Sequence, residues 1–147
     1  MKAKAIIGFN AFGSLIWPKE KSSGIDVPIL LIGGTYDLIT PLIGEQFKVF
    51  LSANNPLNRF LIIEGASHFS PIRIENHLEG NNDIFKIRGP FIGSEPKSVQ
   101  DLSLKILTTF INNIKNEESI KIFSNKRELK LDFHILDRKM IDQISKN

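Results

Sequence analysis

The 147-residue chain has three histidines and no cysteine, so few of its side chains can move protons near neutral pH. One of the three, His68, lies in Glu64-Gly65-Ala66-Ser67-His68-Phe69-Ser70, directly after a short apolar run. An acid, Asp37, follows an earlier apolar run in Gly33-Gly34-Thr35-Tyr36-Asp37-Leu38-Ile39-Thr40-Pro41. A neutral imidazole takes a hydroxyl proton near pH 7, and a carboxylate on its other ring nitrogen fixes the tautomer and stabilises the imidazolium that follows. An acid that orients a histidine is half of a nucleophilic catalytic system. The usual other half is a serine on a sharp G-x-S-x-G turn between strand and helix. That pentapeptide does not occur, and neither Ser14 nor Ser67 has the glycine-flanked setting.

The elements that must position these residues follow from the apolar pattern. Runs at 5–9, 27–32 and 60–63 are unbroken rather than alternating, as in parallel strands covered on both faces. Parallel neighbours need a crossover, and residues 41–53 predict a helical one between the second and third runs. There Thr40 would cap, Pro41 fits the first turn, and Leu42, Phe47, Phe50 and Leu51 form an apolar face. Val99, Leu102, Ile106, Phe110 and Ile114 recur at spacings of three and four, predicting an amphipathic helix over 96–116. The fold class is therefore α/β, a short, mostly parallel sheet flanked by helices. In such sheets reacting groups gather beyond the carboxyl ends of the strands, which puts Asp37 and His68 on one rim within hydrogen-bonding range.

Residues 70–95 lack periodicity and read as a long loop, either a lid over the rim or a surface excursion. After Asn116 the chain turns polar. Leu129, Leu131, Phe133 and Ile135 then alternate as an edge strand, and residues 137–145 form a short last helix. This divides the chain into a core at 1–116 and a polar extension at 117–147.

Composition removes several function classes. With 41% apolar and 24% charged residues the chain builds a core and is not a disordered polyelectrolyte. Nineteen basic residues against 16 acidic ones, with no run of five like charges, give no nucleic-acid partner. The absence of cysteine removes thiolate catalysis and cysteine zinc sites, and His77 and His134 lack ligand spacing, so no metal and no cofactor are expected. The longest apolar stretch, 27–34, falls short of the ~20 residues of a membrane span, and the first 17 residues lack a signal-peptide profile; a cytoplasmic location is the expectation.

Each candidate also has a plainer account. Asp37 near Thr40-Pro41 fits a turn acid beside a helix N-terminus. His68 fits a loop histidine bonded to a backbone carbonyl. Gly33-Gly34 fits tight packing better than a phosphate loop, since Tyr36 and Asp37 interrupt the glycine pattern. Phe12, Leu15 and Trp17 either line an acyl pocket or close a core.

These motifs also carry a resemblance. Pro28-Ile29-Leu30-Leu31-Ile32-Gly33-Gly34 with Asp37-x-x-Thr40-Pro41, then Glu64-Gly65-Ala66-Ser67-His68-Phe69, resembles the acid and histidine segments near the end of an α/β-hydrolase. Lys4 to Gly13 resembles the strand after the nucleophile helix. Gly89-Pro90-Phe91-Ile92-Gly93 is similar to cyanobacterial dienelactone-hydrolase-like proteins related to platelet-activating-factor acetylhydrolases. The likeness covers residues 3 to 116. It implies that the chain corresponds to the C-terminal portion of that fold, with Asp37 as triad acid, His68 as general base and a small-molecule ester as substrate. In the family the nucleophile elbow and oxyanion-hole amides lie upstream of the matching segments, which implies a chain inactive alone. It also implies an open sheet edge at the first strand, suited to a second copy or a separate N-terminal chain. The rival reading is a non-catalytic interaction module, or truncated gene product, that self-associates through that edge.

Overall fold

A computed structural model describes residues 2–13, 24–71, 93–116 and 131–144. Strands β1 (Ile6–Phe9), β2 (Ile29–Gly34), β3 (Arg59–Ile63) and β4 (Phe133–Asp137) form one sheet in the order β1-β2-β3-β4. The first three run parallel and β4 pairs antiparallel with β3. The chain therefore has the mostly parallel α/β architecture that its unbroken apolar runs imply.

The alternation within β2 explains the two layers of core. Leu30 and Ile32 point to one face, where Val99, Leu102, Ile106 and Phe110 of helix α2 (Pro96–Asn116) cover them. Ile29 and Leu31 point to the other, against Val49 and Phe50 of helix α1 (Lys48–Ser52). Phe50 and Phe60 pack there with tilted rings 5.7 Å apart, a geometry that adds about 0.5–1.5 kcal/mol to simple burial. Ile141 of helix α3 (Arg138–Ile144) joins the same layer.

The predicted crossover helix differs from the observed one. Residues Ile43–Phe47 form a π-helical turn, with both Gln46 N and Phe47 N donating to Leu42 O, before α1 begins. The extra residue rotates the chain, so Val49 and Phe50 are buried while Leu51 is 39% exposed. Thr40 does not cap this helix, because its side chain is drawn to the sheet rim. Gly33 and Gly34 are the last residues of β2 rather than turn residues, and a Cβ at Gly34 would meet Ala66 O at 2.0 Å. The close pass of residues 63–66 over the end of β2 thus requires glycine. The last strand begins at Phe133 and the last helix at Arg138; Leu129 lies outside the described residues. So do residues 72–92 of the expected loop and 117–130 of the extension. No helix among the described residues is long and apolar enough to cross a membrane.

Candidate active site

Because β1, β2 and β3 are parallel, their carboxyl ends share one rim, and the residue after each strand faces its neighbours there. Asn10 follows β1, Asp37 lies three residues beyond β2, and His68 lies five residues beyond β3.

The loop after β2 folds onto its own carboxylate. Asp37 Oδ1 accepts the backbone N–H groups of Ile39 (3.0 Å) and Thr40 (2.8 Å), a turn that aspartate forms readily. Asp37 Oδ2 faces away from that turn and accepts the Thr40 hydroxyl at 2.7 Å. The same oxygen lies 3.0 Å from His68 Nδ1. The carboxylate side chain is fully buried, and His68 is the one charged or chargeable partner that the described residues bring to it. A buried carboxylate is costly unless its lone pairs are filled, and here four donors fill them.

The loop after β3 is wound by serines. Gly65 takes φ +70°, open to glycine without strain, and turns the chain toward the rim. Ser67 N donates to Ser70 Oγ (2.9 Å), Phe69 N to Ser67 Oγ (3.2 Å), and Ser70 N to Ser67 O (3.2 Å). His68 stands at the crest of this turn, its side chain 25% exposed, edge-on to Phe69 with ring centroids 5.6 Å apart. An ionised carboxylate at Nδ1 selects the tautomer protonated there, and that leaves Nε2 with its lone pair available. Nε2 makes no hydrogen bond to any described residue, so the imidazole can accept a proton from the rim side.

Asp37 and His68, the two residues expected at the site, are in contact. Thr40, expected as a helix cap, instead places its hydroxyl within 3.1 Å of His68 Nδ1 and 3.0 Å of the Asn10 carbonyl oxygen. Asn10, not among the expected site residues, donates its side-chain amide to the His68 backbone carbonyl at 3.0 Å. Asn10 has φ +43°, and an asparagine that ends a strand in the left-handed region is the signal that could have found it.

The remaining candidates divide. Ser67 is 3% exposed with its hydroxyl turned into the serine-bound loop, and Phe12 is 47% exposed at the rim instead of closing a core. Ser14, Leu15, Trp17 and His77 lie outside the described residues. His134 pairs with Glu64 across the sheet at 2.5 Å, both half-exposed. Among the described residues no group of three or more metal-binding side chains is brought together. No protein-family model matches the chain, and no curated protein does.

Proposed function

We propose that Asp37 and His68 are the acid and general base of a serine-esterase site of the α/β-hydrolase kind, and that the chain alone does not turn over esters. One observation carries the reading: a fully buried carboxylate oxygen 3.0 Å from Nδ1 of a histidine whose ring reaches the open rim. In this chemistry a serine hydroxyl attacks the acyl carbon while Nε2 takes its proton. The tetrahedral intermediate then expels the alcohol, which leaves with the proton from Nε2. Water attacks the acyl-enzyme in turn, giving its proton to Nε2; the second intermediate then expels the serine oxygen, which takes that proton back as the acid product departs. Asp37 stays ionised and holds the imidazolium. No cofactor enters. No G-x-S-x-G sequence occurs in these 147 residues, so the nucleophile would lie outside them.

Acylation of the full chain by diethylpyrocarbonate, mapped by mass spectrometry, tests the base. His68 should react faster than His134, and Asp37→Asn should slow it; equal reactivity of the two histidines would remove the general base. A serine-directed fluorophosphonate should label no residue. A labelled serine would overturn the view that the nucleophile is missing.

The interaction-module reading has one observation in its favour. Among the described residues β1 is an unpaired edge, and Ile7 and Phe9 are 39% and 42% exposed on one face. Ile6 N and Asn10 N bond toward β2, so the Ile7 and Phe9 amides face outward, the arrangement that recruits another strand. Sedimentation should then show concentration-dependent association that Phe9→Lys abolishes, and a monomer at all concentrations would refute it.

A further inference from the structure

We propose that Thr40, anchored by Asn10, is the positioning residue that holds the His68 imidazole with Nε2 at the rim. The proposal rests on the acid–base reading above and adds a third and a fourth residue to it.

The geometry is a closed triangle. Asp37 Oδ2, Thr40 Oγ1 and His68 Nδ1 are separated by 2.7, 3.0 and 3.1 Å. Asp37 Oδ1 is already filled by two backbone N–H groups, so whatever binds the imidazole must come from the other two corners. Two hydrogens serve the triangle, the Thr40 hydroxyl proton and the one on Nδ1. A hydroxyl gives one hydrogen and accepts through its lone pairs, so Thr40 donates its own and accepts a share of the Nδ1–H, which is forked between Oδ2 and Oγ1. Turning the ring over would bring a C–H to face both oxygens and lose both contacts. Two acceptors side by side therefore define the ring plane more tightly than one carboxylate oxygen does.

Thr40 has a second place to send its proton. The Asn10 carbonyl oxygen lies 3.0 Å from Oγ1. With neutral His68 the hydroxyl donates to Oδ2, the shortest of its contacts. When Nε2 takes a proton and the ring becomes cationic, Nδ1–H draws fully onto Oδ2, and the hydroxyl can turn to the Asn10 carbonyl to free the lone pair that Nδ1–H needs. No heavy atom moves. Threonine suits this role because its branched Cβ limits χ1, and the residue has no exposed surface.

Asn10 ties the arrangement to the sheet. Its backbone N–H bonds to Ile32 O (2.9 Å), its carbonyl receives Thr40, and its amide grips the His68 backbone carbonyl (3.0 Å). Asn10 makes all three contacts from a left-handed backbone, φ +43°, at the end of β1. One residue thus fixes both the hydroxyl and the main chain of the histidine it serves.

The test uses the full chain with ring-¹⁵N histidine and reads the tautomer of His68 and the solvent exchange of its Nδ1 proton, neither of which requires turnover. The wild type should show the Nδ1–H form with a protected proton. Thr40→Val keeps the shape and removes the hydroxyl; exchange should rise about three- to ten-fold, the scale of one hydrogen bond lost, with backbone amide spectra otherwise unchanged. Thr40→Ser should restore protection. Asn10→Gly keeps the backbone conformation without the amide and should raise exchange as well, which preserves the test if the valine variant does not fold. Unaltered exchange in both Thr40→Val and Asn10→Gly would overturn the proposal, as would a serine variant that behaves like valine. A wild type with its proton on Nε2 would instead bring down the acid–base reading itself.

Discussion

Replacing Asp37 by asparagine changes one atom and should invert the tautomer of His68. The asparagine oxygen can take the place of Oδ1 and keep the N–H groups of Ile39 and Thr40, now 3.0 and 2.8 Å from the carboxylate. Its NH₂ then occupies the Oδ2 position, which today accepts from Thr40 and His68. An amide donor facing Nδ1 needs a lone pair there, so the proton moves to Nε2 and the histidine can no longer act as a base toward the rim. The Thr40 hydroxyl, having lost its acceptor, still has the Asn10 carbonyl at 3.0 Å. Every buried partner therefore remains satisfied.

That accounting sets the size of the effect. Hydrogen bonds to charged groups contribute about 1.5–3 kcal/mol against about 0.5–1.5 for neutral ones, and loss of the carboxylate also relieves its desolvation, so Asp37→Asn should cost about 1–3 kcal/mol. Asp37→Ala removes the acceptor of two backbone N–H groups, that of Thr40 being buried, and should cost about 2 kcal/mol more. Urea unfolding of the three proteins measures the energies and ring-¹⁵N shifts report the tautomer. Equal destabilisation by asparagine and alanine would refute the reasoning, and so would retention of the Nδ1–H form in Asp37→Asn.

Two further outcomes are expected elsewhere in the molecule. Gln46 is 1% exposed, pressed against Gly33, and neither atom of its amide has a partner among the described residues; Gln46→Met should therefore stabilise the fold by about 1–2 kcal/mol in urea titrations, and a loss would show that the amide is in use. At the start of α2 the Glu95 carboxylate accepts the Ser98 hydroxyl and the N–H groups of Ser98 and Lys97, which lowers its pKa below 4.5. A lowered folded-state pKa stabilises the protein only while the group is ionised, so the advantage of wild type over Glu95→Gln in thermal melts should be complete at about pH 6 and fade toward about pH 3; a gap independent of pH would contradict this.

The parts legible in the sequence are those in which one residue type has one job. The unbroken run Ile29 to Ile32 must be covered on both faces, and the stripe Val99, Leu102, Ile106, Phe110 has one way to face a sheet, so strands, parallel pairing and long helix all followed. Asp37 and His68 were legible because each follows a parallel strand. Thr40 was not, since a threonine before proline suits a cap as well as a site hydroxyl, and its hydroxyl is held at the rim by partners from two other loops. The π-turn at Ile43–Phe47 has no pattern in the sequence either. Asn10 was hidden for a similar reason, because its role exists only once β1 and the loop after β3 lie side by side.

Oxygen Oδ2 is where the structural and chemical accounts of Asp37 part. A turn acid needs only Oδ1, whose two backbone bonds close the loop after β2. Nothing in that task calls for the second oxygen to be buried with no lysine or arginine beside it among the described residues, and aimed at an imidazole from another loop. Withdrawing a carboxylate from water offsets much of what its bonds contribute, which is why four bonds leave it only about 1–3 kcal/mol ahead of asparagine. An asparagine would close the same turn without the charge. The arrangement does supply a fixed negative charge beside a histidine that can gain a positive one, where the surroundings of the carboxylate exclude water and weaken the attraction little. A buried acid gripped by four donors, one of them a histidine that reaches the surface, suits proton transfer better than it suits folding.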